Sequence, residues 1–257
     1  MMKSRCLIGV FMLASLSVAG QSNMRMEIPK IKKGVSEQII EHKAYTLSYN
    51  KDYNNPNWVA WELLRKETYG NTRRAKDFQG DQKINEKNRV QSFDYSGSKY
   101  DRGHMCPAGD NRWDPRAMTE CFYMSNMCPQ DHELNKNWWN NLEIACRRWA
   151  RREGKVYIVC GPVYKADRKT KTIGKKVKSV VPDGFFKVVL SVRKGYEKAI
   201  GFYYANNSSD QPMDKAVRTV DQIEQLTGMD FFSKLDDRVE NKLEAKSNLR
   251  DWDPAQN

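Results

Sequence analysis

The sequence predicts a single mixed α+β domain, built on a largely antiparallel sheet with flanking helices. Short runs rich in aromatic and β-branched residues alternate with turn residues, which is typical of strands. One longer segment repeats its apolar residues at three- and four-residue steps, which is typical of an amphipathic helix. No internal repeat or low-complexity linker divides the 257 residues, so we expect one compact domain.

The first two strands are expected early in the chain. Residues 44–50 (AYTLSYN) and 57–64 (NWVAWELL) have a strand-like composition, and Asn55 with Pro56 predicts the turn between them. Residues 65–100 are polar, charged and interrupted by glycine, so long loops and short turns are expected there.

The middle of the chain changes from strand to helix periodicity. The apolar run at 119–127 (TECFYMSNM) predicts a short buried strand. Residues 135–153 then follow a helical period, and Gly154 suits the C-cap of that helix. The apolar face of the predicted helix comprises Trp139, Leu142, Cys146 and Trp149.

The second half of the chain predicts further strands and one short helix. Residues 155–164 (KVYIVCGPVY) indicate a strand, and 185–192 (FFKVVLSV) with 198–205 (KAIGFYYA) indicate an antiparallel pair. Residues 219–228 (TVDQIEQLTG) begin with a Thr-x-x-Gln capping box and end on glycine, so they predict a helix.

The two ends of the chain are expected to lie outside the main domain. Residues 1–20 have two basic residues, an apolar run and small residues, which is the layout of a secretory signal peptide. The run is shorter than the roughly 20 residues of a spanning helix, so export and cleavage are expected, with a retained anchor as the alternative. The mature protein would be periplasmic or extracellular, without membrane attachment. We assign 21–40 to an N-terminal extension, 41–240 to the domain and 241–257 to a polar tail.

The charge balance suggests a polyanionic partner. Lys and Arg number 44 against 32 Asp and Glu, a formal net charge of +12. The basic residues are concentrated in 165–178, and this segment would follow phosphates without reading bases. A solvated charged hairpin is the alternative. The candidate nucleic-acid contacts in the segment are Lys169, Lys171, Lys175 and Lys176.

The cysteines allow disulfides but do not require them. Cleavage of the leader would leave five of the six cysteines, so at least one stays unpaired within a monomer. Cys106 and Cys128 either form a pair, bond elsewhere or remain small buried hydrophobes. The absence of any CxxC spacing argues against a structural zinc ribbon.

One of three histidines lies in the segment YDRGHMCPAGD, residues 100–110. An imidazole is half neutral near a pH of about 6.5, so neutral His104 is able to take a proton from water. Arg102 is able to hold a phosphate oxygen, and Gly103 lets the backbone approach closely. An isolated histidine is more often structural than catalytic, but this combination suits phosphate hydrolysis.

A cluster of amides and one carboxylate follows in MSNMCPQDHELNKNWWNNLE. At about 100° per residue, Asn135 and Glu143 lie roughly 80° apart around the predicted helix. Their oxygens suit Mg²⁺, which takes few protein ligands and keeps several waters. Helix N-capping is the alternative role for each asparagine. His132 is the rival base, although its position before the helix favours a supporting role.

DRGH, SNMCPQ and LNKNWWNNLE together resemble the motifs of the non-specific DNA/RNA endonuclease family, which includes secreted bacterial nucleases and mitochondrial endonuclease G. The blocks YTLSYN, WVAWEL, VPDGFFKVVL and TVDQIEQLTGMDFF extend the resemblance over about 45–235. It implies a ββα-metal core, in which two strands and one helix grip a single Mg²⁺ ion, with Mn²⁺ as an alternative.

The resemblance also implies a role for each matching residue. His104 would be the general base, Asn135 the direct metal ligand, and Glu143 the group that holds metal-bound water. Asn126 would shape the site next to the base. The arginines would contact or stabilise phosphate: Arg102 in the motif, Arg147 one turn after Glu143, and Arg73 at the transition state, with the adjacent Arg74 as its alternative.

The function implied is a sugar-non-specific endonuclease that cleaves DNA and RNA to 5′-phosphate products. Two alternatives remain: a nuclease-like module that binds nucleic acid without cleaving it, and a phosphodiesterase for small nucleotides. The filled base, ligand and carboxylate positions argue against the first, and the basic segments argue against the second. The sequence leaves open whether the chain forms a homodimer.

Overall fold

A computed structural model describes residues 24–165 and 171–253. The expected leader at 1–20 and Lys169 lie outside these residues. Among the described residues, no helix is both long and apolar enough to cross a membrane. The strands are β1 (Gln38–Glu41), β2 (Thr46–Asn50), β3 (Asn55–Leu64), β4 (Asp101–His104), β5 (Met127–Gln130), β6 (Lys155–Val163), β7 (Thr172–Ile173), β8 (Ser179–Val180), β9 (Gly184–Ser191), β10 (Lys198–Ala205) and β11 (Val217–Arg218). The α-helices are α1 (Pro115–Glu120), α2 (Asn140–Glu153), α3 (Met213–Ala216), α4 (Val220–Thr227), α5 (Asp237–Glu244) and α6 (Leu249–Trp252).

The main sheet has the order β1-β2-β3-β6-β9-β10-β11, and every neighbouring pair in it is antiparallel. Strands β4 and β5 form a separate antiparallel pair, inserted in the chain between β3 and β6. The predicted α+β class with a largely antiparallel sheet is therefore confirmed. Together β4, β5 and α2 make the ββα unit.

Two layers of side chains cover the sheet, one on each face. Because side chains alternate along a strand, Phe185 and Val189 of β9 face one apolar cluster, and Phe186 and Val188 face the other. Helix α2 packs on the first face, which we call the cleft face, through Leu142, Cys146 and Trp149. Helix α4 packs on the second face, which we call the far face, through Val220 and Ile223.

The predicted turn at Asn55 and Pro56 is wrong. Both residues belong to β3, and the chain reverses just before them, where Asn54 has a φ of 52°. Asn55 is fully buried and donates a hydrogen bond of 2.7 Å to the Val180 carbonyl. Pro56 pairs with Tyr49 beside a register shift, which is a position where a strand tolerates proline.

The strand predicted at 119–127 is also wrong. Its first residues end helix α1, which Asp114 caps by accepting a 2.9 Å hydrogen bond from the Ala117 amide, with Pro115 at the first helical position. A single 3-10 turn follows at Met124–Asn126, and β5 begins only at Met127. The Asp-Pro sequence that starts the helix therefore determines the local structure, although the apolar composition favours a strand.

The C-terminal segment differs from the polar tail expected at 241–257. Helix α6 brings Trp252 into the cleft-face cluster, where it is fully buried. Its ring lies 4.9 Å from that of Trp149, and the Trp149 indole donates a 3.1 Å hydrogen bond to Asp253. The described part of this segment therefore packs on the domain.

The five described cysteines, Cys106, Cys121, Cys128, Cys146 and Cys160, are all buried and unbridged. Two of these thiols donate to backbone carbonyls, Cys121 to Met118 at 3.2 Å and Cys160 to Met105 at 3.3 Å. Among the described residues the cysteines thus act as small core residues.

Candidate active site

The ββα unit borders a polar cleft with a cavity volume of about 540 Å³. Strand β4 supplies one wall, and the start of α2 with the turn before it supplies another. The loop that follows β4 closes one end. The residues that line the cleft include six that the sequence analysis named as site residues or alternatives: Arg74, Arg102, His104, Asn135, Glu143 and Arg147.

His104 is the last residue of β4 and is 8% exposed. Its ring packs edge-on against Phe122 at 4.8 Å, and its carbonyl accepts a 3.2 Å hydrogen bond from the Trp139 indole. Burial, and secondly the positive charge of Arg74, lower the pKa of His104 to about 3. The imidazole is therefore neutral at physiological pH, as a general base must be.

Asn126 holds the chain immediately after the base. Its side-chain oxygen accepts from the Cys106 amide at 2.8 Å, and its amide group donates to the Cys106 and Cys121 carbonyls, both at 2.8 Å. The residue is fully buried, so it fixes the backbone rather than facing the cleft. This placement suits a residue that shapes the site.

Asn135 reaches the cleft from a single π-helical turn, Leu134–Trp139, that precedes α2. Its amide group donates a 2.9 Å hydrogen bond to Asp101, the first residue of DRGH. No described donor bonds its carbonyl oxygen, so that oxygen is free to bind an ion. Asp101 also bonds His132 at 2.9 Å, which makes His132 part of the support and not of the cleft lining.

Glu143 extends into the same cleft from α2 and makes no hydrogen bond or ion pair with another described residue. Burial raises its pKa to about 7, although the charges of Lys187 and Arg147 act in the opposite direction. The two basic residues do not fully offset the cost of burying the charged form of Glu143, so a cation bound beside it would stabilise the carboxylate. With the free oxygen of Asn135, it forms a set of hard oxygen donors that fits a small divalent metal ion.

Comparison with known proteins identifies the family. A family model described as DNA/RNA non-specific endonuclease matches residues 22–238. The chain belongs to this family. It is therefore a nucleic-acid hydrolase, from a family of metal-dependent nucleases with the ββα-metal core.

Named relatives in the family come from distant organisms. Human mitochondrial Endonuclease G is 33% identical over 206 residues, which cover 76% of this chain and 69% of that protein. A nuclease from Nostoc sp. is 33% identical over 221 residues, or 81% of this chain and 78% of that protein. The mitochondrial nuclease EXOG of Xenopus laevis is 34% identical over 78% of this chain, which spans only 59% of that relative.

A solved structure shares the fold. A chain from the crystal structure of the EndoG/EndoGI complex superposes with a TM-score of 0.73 at 31% identity, covering 79% of this chain and 88% of that chain.

The arginines of this endonuclease differ in how they are held. Arg147 forms a 2.8 Å ion pair with Asp110, which also accepts a 3.1 Å hydrogen bond from the Trp61 indole. A Cβ on Gly109 would lie 2.5 Å from the Arg147 guanidinium, so a larger residue here would displace that side chain. Asp110 thus neutralises and positions Arg147. The sequence analysis did not find Asp110, because its partner Arg147 lies 37 residues further along the chain.

Arg102 is anchored as well, whereas Arg74 is available. Arg102 donates a 2.8 Å hydrogen bond to the Ser92 carbonyl and stacks over Phe78 at 5.3 Å. Arg74 lies over the Phe122 ring at 4.9 Å and has no ion pair with a described residue. The arginine favoured from the sequence, Arg73, is exposed and is not part of the cleft lining, so the geometry supports Arg74 instead.

The described basic residues of the 165–178 segment lie beside the cleft or away from it. Lys171 donates a 2.9 Å hydrogen bond to the Tyr100 hydroxyl at the cleft edge. Lys176 pairs with Glu86 at 2.9 Å, and neither Lys175 nor Lys176 lines the cleft. Of the four lysines predicted to contact nucleic acid, Lys171 is the one that the described part of the segment places beside the site.

Lys187 is a functional candidate that the sequence analysis missed. It interrupts the apolar run of β9, is fully buried on the cleft face, and its ammonium has no hydrogen-bond partner among the described residues. Its nitrogen lies 4.4 Å from the ring centre of Trp139 and 5.5 Å from that of Trp61. The sequence feature that could have identified Lys187 is a charged residue within an otherwise apolar predicted strand.

Proposed function

We propose that this protein is an exported, Mg²⁺-dependent endonuclease that hydrolyses both DNA and RNA, with His104 as general base. The observation that carries the proposal is the shared cleft. It combines a buried neutral imidazole with the unpaired oxygens of Asn135 and Glu143, and it is bordered by cationic side chains.

The neutral imidazole of His104 accepts a proton from water as the water oxygen attacks phosphorus in line with the leaving 3′ oxygen. The P–O3′ bond breaks, leaving a 5′-phosphate on one fragment and a 3′-hydroxyl on the other. General-base assistance of this kind contributes a factor of about 10²–10⁴ to the rate. The groups in this scheme act on the phosphodiester, which DNA and RNA share, so we expect both to be substrates.

Asn135 and Glu143 are the residues that would hold the metal ion, and Asp101 orients the Asn135 amide toward it. When bound, Mg²⁺, or Mn²⁺ in its place, neutralises negative charge on the scissile phosphate and leaving oxygen. Arg74 lies free beside the base and stabilises the transition-state charge, whereas Arg147 is positioned by Asp110 to hold a phosphate.

The decisive experiment incubates the purified protein with plasmid DNA and with RNA, each in Mg²⁺ or in EDTA. We expect both polymers to be cut in Mg²⁺ and neither in EDTA. A His104→Ala preparation made in parallel controls for contaminating nucleases. Binding without cleavage would support the inactive module, and cleavage of a small phosphodiester but not of either polymer would support the nucleotide phosphodiesterase.

Export is the second part of the proposal, and it rests on the signal-peptide layout of residues 1–20. The names of the Endonuclease G and EXOG relatives place those proteins in mitochondria. Cell fractionation with N-terminal sequencing separates the two destinations. We expect a mature N-terminus near Gly20 outside the cytoplasm, and an uncleaved chain inside the cell would contradict export.

A further inference from the structure

The far face of the sheet carries a second group of carboxylates, away from the cleft. Helix α4 packs there through Val220 and Ile223 and presents Asp221 and Glu224 on its other side. Helix α5 follows along the chain and ends at Glu244. The three acidic residues meet where the two helices come together.

The three carboxylates are close enough to share one ion. One ligand oxygen from each of Asp221, Glu224 and Glu244 lies within 4.8 Å of those of the other two. Oxygen ligands lie about 2.3–2.6 Å from Ca²⁺, so two ligands of one ion are at most about 5 Å apart. Mg²⁺ keeps several waters and takes few protein ligands, whereas Ca²⁺ takes six to eight oxygen ligands, so a group of three carboxylates favours Ca²⁺.

A separate observation concerns Glu244, since Glu224 already accepts a 2.8 Å hydrogen bond from the Phe231 amide. Glu244 is only 5% exposed, and its buried Oε1 has no hydrogen bond among the described residues. An unpaired buried carboxylate costs free energy unless it is neutralised.

No described basic side chain forms an ion pair with any of the three acids. In this region Lys30 pairs instead with Asp230, at 3.0 Å. A bound cation would supply the missing charge and occupy the free lone pairs of Glu244.

We propose that Asp221, Glu224 and Glu244 form a Ca²⁺ site that joins α4 to α5 and stabilises the C-terminal part of the fold. The site contains no base and no arginine, so its role is structural. It is independent of the cleft and of the proposed nuclease mechanism.

The test measures the thermal unfolding midpoint of EDTA-treated, dialysed protein with and without CaCl₂. At a Ca²⁺ concentration of about 100 times the dissociation constant, the midpoint should rise by about 5 °C. The Asn135→Ala variant should keep this rise, which shows that the ion does not act through the cleft. Calorimetric titration of that variant should give one Ca²⁺ per chain.

Conservative variants identify the ligands. Glu244→Gln and Asp221→Asn should abolish the Ca²⁺-dependent rise, while the exposed control Glu37→Gln should retain it. Glu244→Gln should also melt no lower than wild type without Ca²⁺, because an amide needs no cation. Nuclease activity in Mg²⁺ should be unchanged by Glu244→Gln, so the site and the proposed function fail separately. A midpoint unaffected by Ca²⁺ in wild type would overturn the proposal and indicate a protonated Glu244. A rise that persists in Glu244→Gln would also overturn it, because Ca²⁺ would then bind elsewhere.

Discussion

The two faces of the sheet place their polar groups in opposite ways. On the cleft face the fold buries His104, Asp110 and Lys187 within the packed layer, and two of the three keep a side-chain nitrogen without a partner. On the far face Val220 and Ile223 make an apolar contact in the packed layer, and the carboxylates, the buried Glu244 among them, lie beside that layer where α4 meets α5. Because buried unpaired polar groups cost free energy, a fold that retains them in its centre indicates chemistry there.

The difference also separates catalysis from binding. The cleft combines a neutral base, oxygen ligands and arginines, which is the set that phosphodiester hydrolysis needs. The far-face group has oxygen ligands alone. We therefore propose different roles for Glu143 and Glu224, two partly buried glutamates on helices, because the groups around them differ.

The largest effect is expected when the base is removed. His104→Ala should lower the cleavage rate of plasmid DNA by about 10²–10⁴, with little change in DNA binding. His132→Ala is the matched control, since this exposed histidine contacts only the supporting Asp101. Single-turnover cleavage and a binding isotherm measure the two quantities. An unaltered rate in His104→Ala would remove the functional distinction between the faces.

The packing of the cleft face is tested next, at Trp252. Trp252→Ala should lower the free energy of unfolding by about 3–5 kcal/mol, because the ring is fully buried against Trp149. Urea unfolding monitored by circular dichroism measures the change. A loss near zero would mean that 241–257 behaves as the polar tail expected from sequence.

Replacing Asp101, which orients the proposed metal ligand Asn135, should reduce activity less than replacing Asn135 itself. Asp101→Asn weakens the orientation of Asn135, and changes of this kind cost about 10–100-fold in metal affinity. We expect the Mg²⁺ concentration for half-maximal activity to rise by that factor, with the rate at saturating metal largely preserved. Glu133→Gln, on the exposed surface nearby, should behave as wild type. An equal loss at saturating Mg²⁺ would show that Asp101 has another role.

The smallest effect concerns pH and the unfolded state. Because the folded pKa of His104 is lowered to about 3, below pH 6.5 only the unfolded chain takes up a proton here, and stability falls as the pH falls. The loss between pH 7 and pH 5 amounts to about 2 kcal/mol. Other groups titrate in this range, so the comparison is between metal-free wild type and His104→Gln, whose loss should be smaller by that amount. Equal losses would contradict a buried neutral imidazole.

Local signals in the sequence predicted those elements that local interactions stabilise. The helix at 219–228 forms as expected, because Thr219 and Gln222 cap each other and Gly228 adopts the left-handed conformation. The antiparallel pair 185–192 and 198–205 is also confirmed, within one residue at each end. Neither prediction needed information from elsewhere in the chain.

Features set by distant contacts could not be predicted in this way. Asn55 enters a strand because the Val180 carbonyl lies opposite it, and Asp110 becomes part of the site because Arg147 approaches from α2. The choice between Arg73 and Arg74 depends on which of the two side chains points into the cleft. Both lie in an irregular segment, where no periodicity predicts side-chain direction. The motif placed His104 and Asn135 in the site, whereas the hydrogen bond from Asn135 to Asp101 required the fold.

The central claim is that His104 and Asn135 act in one chemical step across a shared cleft, and a double-mutant cycle tests it most directly. Single-turnover plasmid cleavage would be measured in saturating Mg²⁺ for His104→Ala, Asn135→Ala and the double variant. Residues that act as a unit have non-additive effects, so the double variant should be about as slow as the slower single variant. Rate losses that multiply in the double variant would show that the two side chains act independently, and would contradict the account.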